Sequence, residues 1–538
     1  MFYQVYPRSF ADGDGDGSGD LRGVVQRIPY LADLGVDALW LCPFYRSPDV
    51  DGGYDISDHC DVAADLGTLA DVDDVLTTAH RHGLRVLVDL VPNHCSDQHP
   101  WFQAAVSAGR GSPERARFHF LEGRGPDGGE PPNNWISVFG GPSWTRVVEP
   151  DGSPGQWYYH LFAPEQPDFN WGHPDVADEF GRILRFWLDR GVDGFRIDVS
   201  DALIKDTTWP DTPRGEPVIP KDEASGVHDV YRQFRRILDA YPGDRAAVIE
   251  TGAPDDVVAL FIRPDEMHLA FNFRFLHATW SAADLRDAID HSLAANALVG
   301  APTTWVTDNH DTPRSVTRYG AETRLAGSYV PDVAGSSAPS AAASLAVGTR
   351  RARAVALLLL ALPGAAFLYG GQELGLPNVD DLPDTVLRDP IFRRSGGAAR
   401  GRDGCRIPLP WSGTVPPFGF SPAGVATWLP QPPAWESLTV EHQLADPASM
   451  LTLHRRMLAL RRSEVSLRRG VVEWLDRGEM RPVLSLERSA PGGRRIGVIV
   501  NLSGSVVALP PGEVLLSSVE LEPDGRLPAE ASALVALV

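Results

Sequence analysis

The sequence has few cysteines, and it has no apolar run long enough to cross a membrane. Its cysteines, four in 538 residues, are Cys42, Cys60, Cys95 and Cys405. None forms a Cys-x-x-Cys pair, which argues against a zinc site. So sparse a set fits a reducing compartment, although a disulfide between two of them stays open. The apolar run 354–362 is much shorter than a membrane span and predicts a buried helix.

Basic residues are outnumbered by acidic ones, which gives a formal net charge of −22. Lysine is especially rare, since the only lysines are Lys205 and Lys221. A nucleic-acid partner needs a basic surface, so the charge excludes that class and is compatible with a neutral substrate. The first residues lack the basic start and apolar stretch of a secretory signal. We therefore predict a cytoplasmic protein with no membrane partner. The lysine scarcity fits a bias in genome composition and predicts no function.

Short β-branched and aromatic runs alternate with helical patterns along the chain. Eight runs predict strands, at 2–6, 38–41, 86–90, 194–199, 246–250, 268–272, 303–307 and 365–369. Between them, apolar residues at helical spacing predict helices that end at Gly83 and Gly191. Alternating strands and helices predict a parallel sheet, and eight repeats favour a closed (β/α)₈ barrel. An open doubly wound sheet is the alternative, but no glycine-rich dinucleotide motif follows the first strand.

Two parts of the chain depart from this alternation. Residues 97–170 lack a clear helical period and are rich in glycine, proline and tryptophan, which predicts a subdomain inserted after the third strand. After a helical stretch at 449–462, short strands and turns predict a C-terminal antiparallel β domain. The predicted domains are the barrel at 1–96 and 171–465, the insertion at 97–170 and the β domain at 466–538. The low-complexity segment 336–346 predicts a surface loop.

Ionisable residues follow several of the predicted strands. Asp89 belongs to the third strand, Asp198 and Glu250 end the fourth and fifth, and Asp311 follows the seventh. Catalytic groups of barrel enzymes lie at these strand ends. A pair of carboxylates there is the equipment for cleaving a glycosidic bond, one attacking the anomeric carbon and one protonating the leaving oxygen. Arg196 lies two residues before Asp198, on the same side of the strand, where its charge would keep Asp198 ionised.

A glycine-rich loop with alternate aspartates occupies residues 12–20. Such a loop can surround a hard cation with oxygen ligands. It is not an EF-hand, because its twelfth position is Gly23 where that motif requires a glutamate. A flexible acidic turn is the alternative interpretation.

Five segments together resemble the α-amylase superfamily, glycoside hydrolase family 13. They are 3–10, 89–94, 166–171, 194–198 and 309–311. Within it they resemble the α-glucosidase and oligo-1,6-glucosidase branch, especially actinobacterial members. The resemblance implies Asp198 as nucleophile, Glu250 as general acid/base and Asp311 as transition-state stabiliser. It also implies a terminal-glucose pocket lined by Tyr54, Asp55, His94, Phe139, Phe162, Gln166, Arg196, His310 and Arg406.

The resemblance further implies a structural calcium ion, with magnesium as an alternative, and no organic cofactor. Its ligands would be the carboxylates of Asp12, Asp14, Asp16 and Asp20 and the carbonyl of Ser18. One departure from the family pattern is the run 249–252, which has isoleucine before the acid and no aromatic residue after it.

The expected activity is that of a retaining, exo-acting α-glucosidase on short α-glucosides, with transglucosylation as a side reaction. A trehalose synthase or sucrose-acting isomerase or transferase, and a non-catalytic binding subunit, are the alternatives. In this branch, valine at the position of Val199 often accompanies α-1,6 cleavage, so Val199 is expected to influence linkage preference. The sequence predicts no oligomeric state.

Overall fold

A computed structural model describes residues 1–321, 344–475 and 482–538. Its largest sheet has eight parallel strands, which we label β1 to β8 in chain order. They are β1 Phe2–Val5, β2 Ala38–Leu41, β3 Arg85–Leu90, β4 Gly194–Ile197, β5 Ala246–Ile249, β6 Leu269–Ala270, β7 Thr304–Val306 and β8 Ala365–Tyr369. Every strand that the sequence predicted is present, with its ends shifted by two residues at most.

The strands form a nearly closed (β/α)₈ barrel. Their order in the sheet is β6-β5-β4-β3-β2-β1-β8-β7, so β6 and β7 are its two ends. The hydroxyl of Thr304 on β7 donates to the carbonyl oxygen of Ala270 on β6 and joins these ends. Large side chains such as Trp40 and Phe367 fill the barrel interior. The barrel is therefore packed, and ligands can reach only its rims.

Helices surround the barrel and carry the apolar faces that the sequence predicted. The helix Pro174–Arg190 begins with proline after the capping side chain of His173 and ends at Gly191, whose φ of 105° suits glycine. The other helices of the barrel layer are Leu21–Leu34, Leu69–Arg81, Val227–Asp239, Asp255–Phe261, Phe273–Leu276, Ala282–Val299, Ser315–Ala321 and Leu345–Ala361. Shorter or later helices are Pro390–Arg394, Val440–Ala445, Met450–Ser463 and Val465–Arg469.

The insertion between β3 and β4 contains a three-stranded antiparallel sheet. Its strands are Phe120–Leu121, Trp144–Val148 and Pro154–Tyr159. It also contains a helix, Pro100–Ala108. This helix was not predicted, because the segment shows no clear helical period in the sequence. Nine residues are too few to show a clear period, but His99 and Pro100 mark its start as a capping residue followed by proline at the first position. A two-stranded sheet, Tyr45–Arg46 with Asp58–Val62, follows β2.

The C-terminal part is a five-stranded antiparallel sheet. Its strands are Val471–Trp474, Val483–Ser489, Ile496–Asn501, Gly512–Ser517 and Ala531–Leu537. It packs on the helix Leu345–Ala361, where the buried Arg488 donates to the carbonyl oxygen of Ala361. The apolar run of that helix, 354–362, is buried as predicted.

The predicted low-complexity loop, 336–346, lies outside the described residues except at its end, where Leu345 begins a helix capped by Ser344. No helix among the described residues is long and apolar enough to cross a bilayer.

Candidate active site

The carboxyl ends of three neighbouring strands bring together four ionisable residues. Arg196 on β4 is almost fully buried and donates to Asp89 at 2.7 Å and to Asp198 at 2.7 Å through Nη1. Its Nη2 pairs with Glu250, which follows β5. Asp89, at the end of β3, is thus part of the cluster although the sequence assigned it no site role. One guanidinium fixes three carboxyl groups because parallel strands end at the same rim.

Asp198 and Glu250 differ in how strongly they retain a proton. Burial raises the pKa of both carboxyl groups, and the charge of Arg196 partly opposes this for each. For Glu250, the nearby charges of Asp198 and Asp311 raise the pKa further, to well above its usual range. The two groups also hydrogen-bond to each other. We infer that the pair holds one proton on Glu250, which leaves Asp198 as the anion.

Asp311 is the most open of the three carboxylates, with a side chain 26% exposed. Arg402 and Arg406 each donate to its Oδ1 at 3.0 Å. Burial disfavours its charge, but the surrounding charges, those of Arg402 and Arg406 among them, outweigh burial and hold the pKa of Asp311 well below its usual range. Asp311 is therefore a permanent negative charge facing Asp198 and Glu250.

Arg402 and Asp51 belong to this site, and neither was predicted from the sequence. Arg402 pairs with Asp51 at 2.6 Å and with Asp389 at 2.6 Å, in addition to Asp311. Gln166 donates to Asp51 at 3.1 Å. Asp51 precedes Tyr54 by three residues and Arg402 precedes Arg406 by four. This closeness along the chain to predicted pocket residues was the signal that could have identified them.

Asp55 is buried, but its carboxylate points at the backbone of its own loop. It accepts amide hydrogens from Val50 at 2.9 Å and Asp51 at 3.1 Å. Asp55 therefore stabilises the conformation of its own loop. The carboxylate that contacts Arg402 is that of Asp51. Tyr54 lies beside the carboxylate cluster, since its hydroxyl donates to Asp89 at 3.2 Å.

Aromatic and imidazole rings form one side of the site. Phe139 and Phe162 have ring centroids 5.3 Å apart, and His94 lies 5.1 Å from Phe162. The guanidinium of Arg402 lies 5.1 Å from the centre of the Phe139 ring. His94 also contacts Gln166 at 3.2 Å. The structure thus brings the predicted pocket residues together, with Asp55 turned to its own loop.

Val199 packs in the same apolar cluster as Phe139 and Phe162. The predicted strand 194–199 ends earlier, at Ile197, because Val199 adopts φ 45° and ψ 45°. A positive φ is rare for a β-branched residue and marks a strained position. The turn directs the side chain away from its expected strand orientation and into this cluster.

Lys205 joins the insertion to the barrel. Its ammonium group is fully buried and contacts Asp168 at 2.7 Å and the side-chain oxygen of Asn93 at 2.6 Å. It also donates to the carbonyl oxygen of Ala202. One of the only two lysines of the chain therefore has a structural role, which the scarcity of lysine in the sequence did not indicate.

The aspartate-rich loop gathers three of its predicted ligands. Carboxylate oxygens of Asp12, Asp14 and Asp20 lie within 4.8 Å of one another. Asp16 is not part of this group, and its Oδ1 accepts the amide hydrogen of Ser18 at 2.7 Å. Clustered carboxylate oxygens are the donor set that calcium prefers, so the residues fit such an ion.

All four cysteines are free thiols, which removes the disulfide that the sequence left open. Cys405 lies in the site region and donates to the carbonyl oxygen of His310 at 3.2 Å.

Comparison with known proteins agrees with this geometry. The family model described as alpha amylase, catalytic domain, matches residues 4–470. A probable alpha-glucosidase of Rhizobium meliloti (strain 1021) is 35% identical over 94% of this chain and 88% of its own length. An oligo-1,6-glucosidase of Parageobacillus thermoglucosidasius is 32% identical over 94% of this chain and 90% of its own.

Among solved structures, the alpha-glucosyl transfer enzyme XgtA matches with a TM-score of 0.84 and 33% identity, covering 99% of this chain and 98% of its own. Sequence, fold and site therefore agree that this chain belongs to the α-amylase family, glycoside hydrolase family 13.

Proposed function

We propose that this protein is a retaining, exo-acting α-glucosidase. It would release α-glucose from the non-reducing end of short α-glucosides such as maltose and malto- or isomalto-oligosaccharides. The observation that carries the proposal is the single guanidinium of Arg196, which holds Asp198 and Glu250 side by side. The names of the α-glucosidase and oligo-1,6-glucosidase relatives support the same substrate class.

The chemistry follows from the state of the two carboxyl groups. Asp198, the anion, would attack the anomeric carbon while Glu250 gives its proton to the leaving oxygen. Glu250 would then remove a proton from water, which attacks the same carbon and releases Asp198. In retaining glycosidases the two carboxyls are about 5–5.5 Å apart, and in inverting ones about 6.5–9.5 Å. Asp198 and Glu250 hydrogen-bond to each other and share Arg196, so they lie close together. This closeness supports the retaining mechanism.

The permanent charge of Asp311 would stabilise the positive charge that develops on the sugar. Arg402 supports the exo-acting part of the proposal, because it connects Asp311 with Asp51. That connection places charged groups around the end of the pocket, where they can bind the hydroxyls of a terminal glucose. A second sugar beyond this end would have to break the ion pairs.

Product analysis tests this function. Maltose, isomaltose, sucrose and trehalose are each incubated with the protein while proton NMR follows the anomeric signals. We expect glucose from maltose and isomaltose, with the α anomer appearing first. Initial β-glucose would contradict the retaining mechanism. Conversion of sucrose or maltose into an isomeric disaccharide without glucose would favour the isomerase alternative.

A transferase is the second candidate, since XgtA is named for alpha-glucosyl transfer. In the second step a sugar hydroxyl can replace water on the same intermediate. Growth of tri- and tetrasaccharides at high maltose concentration, at the expense of glucose, would identify transfer as the main reaction. A non-catalytic subunit would form no product in either assay.

Val199 is proposed to bias the linkage preference through its strained position beside Phe139 and Phe162. We expect action on both maltose and isomaltose. Val199→Thr should raise the maltose-to-isomaltose ratio of kcat/KM, because reshaping a subsite by one branched side chain changes binding by about 1–3 kcal/mol. Ala202→Ser in the same apolar cluster is the control. An unchanged ratio in the threonine variant would mean that Val199 does not influence linkage preference.

A structural calcium ion, or magnesium in its place, is proposed for the loop 12–20. The ligands would be the carboxylates of Asp12, Asp14, Asp16 and Asp20 and the carbonyl oxygen of Ser18. The grouping of three of these carboxylates supports the site, since their like charges repel when no cation is bound. The ion would hold the loop together and take no part in bond cleavage.

Metal removal tests the loop. A cation that binds only the folded state stabilises it by about 2.7 kcal/mol at a hundredfold excess over its dissociation constant. Strong chelation should therefore lower the melting temperature of the wild type, and added calcium should restore it. In an Asp14→Ala, Asp16→Ala variant the response should disappear, whereas Asp380→Ala, Asp381→Ala should keep it. A metal response that survives in the loop variant would place the site elsewhere.

We propose that the protein is located in the cytoplasm. The four free thiols support this location because a reducing compartment keeps cysteines unpaired.

A further inference from the structure

The ring of His310, next to the catalytic carboxylates, is held in place by its neighbours. It is 1% exposed and lies parallel to Tyr54, with ring centroids 5.3 Å apart and planes 9° apart. Tyr6 lies 5.9 Å away with its plane tilted by 23°. With the ring fixed, the remaining variable is which of its two nitrogens carries hydrogen.

His310 is neutral at physiological pH. Burial lowers its pKa to about 3, and the charges of Arg406, Arg196 and Arg402 act in the same direction against the opposing charge of Asp311. A neutral imidazole has one N–H donor and one nitrogen acceptor, and the two tautomers exchange these roles.

The neighbours of the two nitrogens select the same tautomer. Gln4 Nε2 lies 2.7 Å from His310 Nδ1, and an amide nitrogen can only donate, so Nδ1 accepts. On the other side, Asp311 Oδ2 lies 3.3 Å from Nε2, and an ionised carboxylate can only accept, so its charge favours a hydrogen on Nε2. In the opposite tautomer the hydrogen on Nδ1 would face the amide hydrogen of Gln4. The lone pair on Nε2 would face the carboxylate oxygen of Asp311.

Gln4 is itself well placed for this task. It is 1% exposed and lies on β1, within the barrel wall. Its Nε2 also lies 3.2 Å from Cys42 Sγ, which occupies the second amide hydrogen and limits rotation of the group. The imidazole of His310 connects Gln4 to Asp311, so an effect of Gln4 on that carboxylate passes through the ring.

We propose that Gln4 is a positioning residue that fixes His310 as the Nε2–H tautomer. The fixed hydrogen of Nε2 then points to Asp311 and to the sugar hydroxyl bound beside it. The identity of that sugar rests on the proposed function, whereas the tautomer itself does not.

Nitrogen NMR on the resting protein tests the tautomer directly. The protein is labelled with ¹⁵N-histidine, and His310→Gln identifies the signals of His310 by their loss. We expect a protonated Nε2 and an unprotonated Nδ1. His454 provides an internal reference, because its Nδ1 lies 3.0 Å from the carbonyl oxygen of Met450 and should be protonated. A protonated Nδ1 on His310 would overturn the proposal.

Gln4→Met tests whether Gln4 is the cause. Methionine keeps the length of the side chain and removes the donor. We expect the Nδ1–H form of His310 to become populated and kcat/KM to fall by about tenfold, the effect of one lost hydrogen bond. Gln443→Met, at another buried glutamine, should change neither. If His310 keeps a pure Nε2–H form in Gln4→Met, Gln4 does not fix it and the proposal fails.

These outcomes separate the two proposals. A wild-type protein with the expected tautomer and no action on α-glucosides would contradict the proposed function alone. An active α-glucosidase with Nδ1 protonated would contradict only the role of Gln4.

Discussion

Asp198→Asn and Glu250→Gln should each reduce turnover of α-glucosides by orders of magnitude. Loss of a general acid/base costs about 10²–10⁴-fold, and loss of the nucleophile removes the covalent step altogether. Both replacements keep the side-chain size, so Arg196 retains an oxygen acceptor at each position and thermal melting should change little. Initial rates on maltose and isomaltose give the measurement. Asp206→Asn, in the loop after β4, is the matched control and should keep wild-type rates.

Azide distinguishes the two roles. Added to Asp198→Ala, it should take the place of the nucleophile and give a glucosyl azide of inverted configuration. Added to Glu250→Ala with an activated leaving group, it should attack the covalent intermediate and give the retained configuration. Wild-type rates in either variant, or the same azide product from both, would overturn the assignment.

The basic side of the pH profile should belong to Glu250. In the proposed mechanism the protonated form of Glu250 is the active one. Burial raises its pKa, so kcat/KM should persist to higher pH than an ordinary glutamate allows and then fall. With an activated leaving group, this fall should be absent in Glu250→Gln.

Lys205→Met should lower the free energy of unfolding by about 3–5 kcal/mol, because it leaves the buried charge of Asp168 without its partner. The midpoint of urea unfolding at unchanged slope gives the measurement. The loss should originate at the junction between the insertion and the barrel, since Asp168 and Asn93 belong to different sides of that junction and Lys205 connects them.

A double variant separates charge from packing. In Lys205→Met, Asp168→Asn the unpaired charge is gone, while the new amide oxygen can still accept the amide hydrogen of Leu161 that Asp168 accepts at 2.8 Å. Most of the stability should return. Lys221→Met should cost less than Lys205→Met. Lys221 is 31% exposed, so its place borders solvent and water can approach the Asp201 carboxylate once the ammonium group is gone, whereas Lys205 and Asp168 are both fully buried. Equal losses in all three variants would mean that the charge pair is not the cause.

The sequence alone determined the barrel, and it predicted that carboxylates gather at the barrel's rim. Side chains repeat with period 2 in a strand and 3.6 in a helix, so eight alternations are visible in the order of apolar residues. Since parallel strands end on one rim, the sequence also predicted that Asp198, Glu250 and Asp311 would face one another. Both inferences depend on the order of residues that are close along the chain, and this order can be read directly from the sequence.

Contacts between loops were decided only by the tertiary structure. Asp51 and Arg402 lie 351 positions apart, and no local pattern indicates that their loops meet over the pocket. The same holds for Lys205, whose partners come from three segments. Asp55 differs, because amide groups of its own loop, four and five positions away, hold its carboxylate. β4 ends at Ile197, before Val199 with its positive φ, and the side chain of Val199 packs in the aromatic cluster. Periodicity encodes which elements form, whereas the packing of distant loops selects which side chains meet, because that choice depends on the shape of the whole barrel.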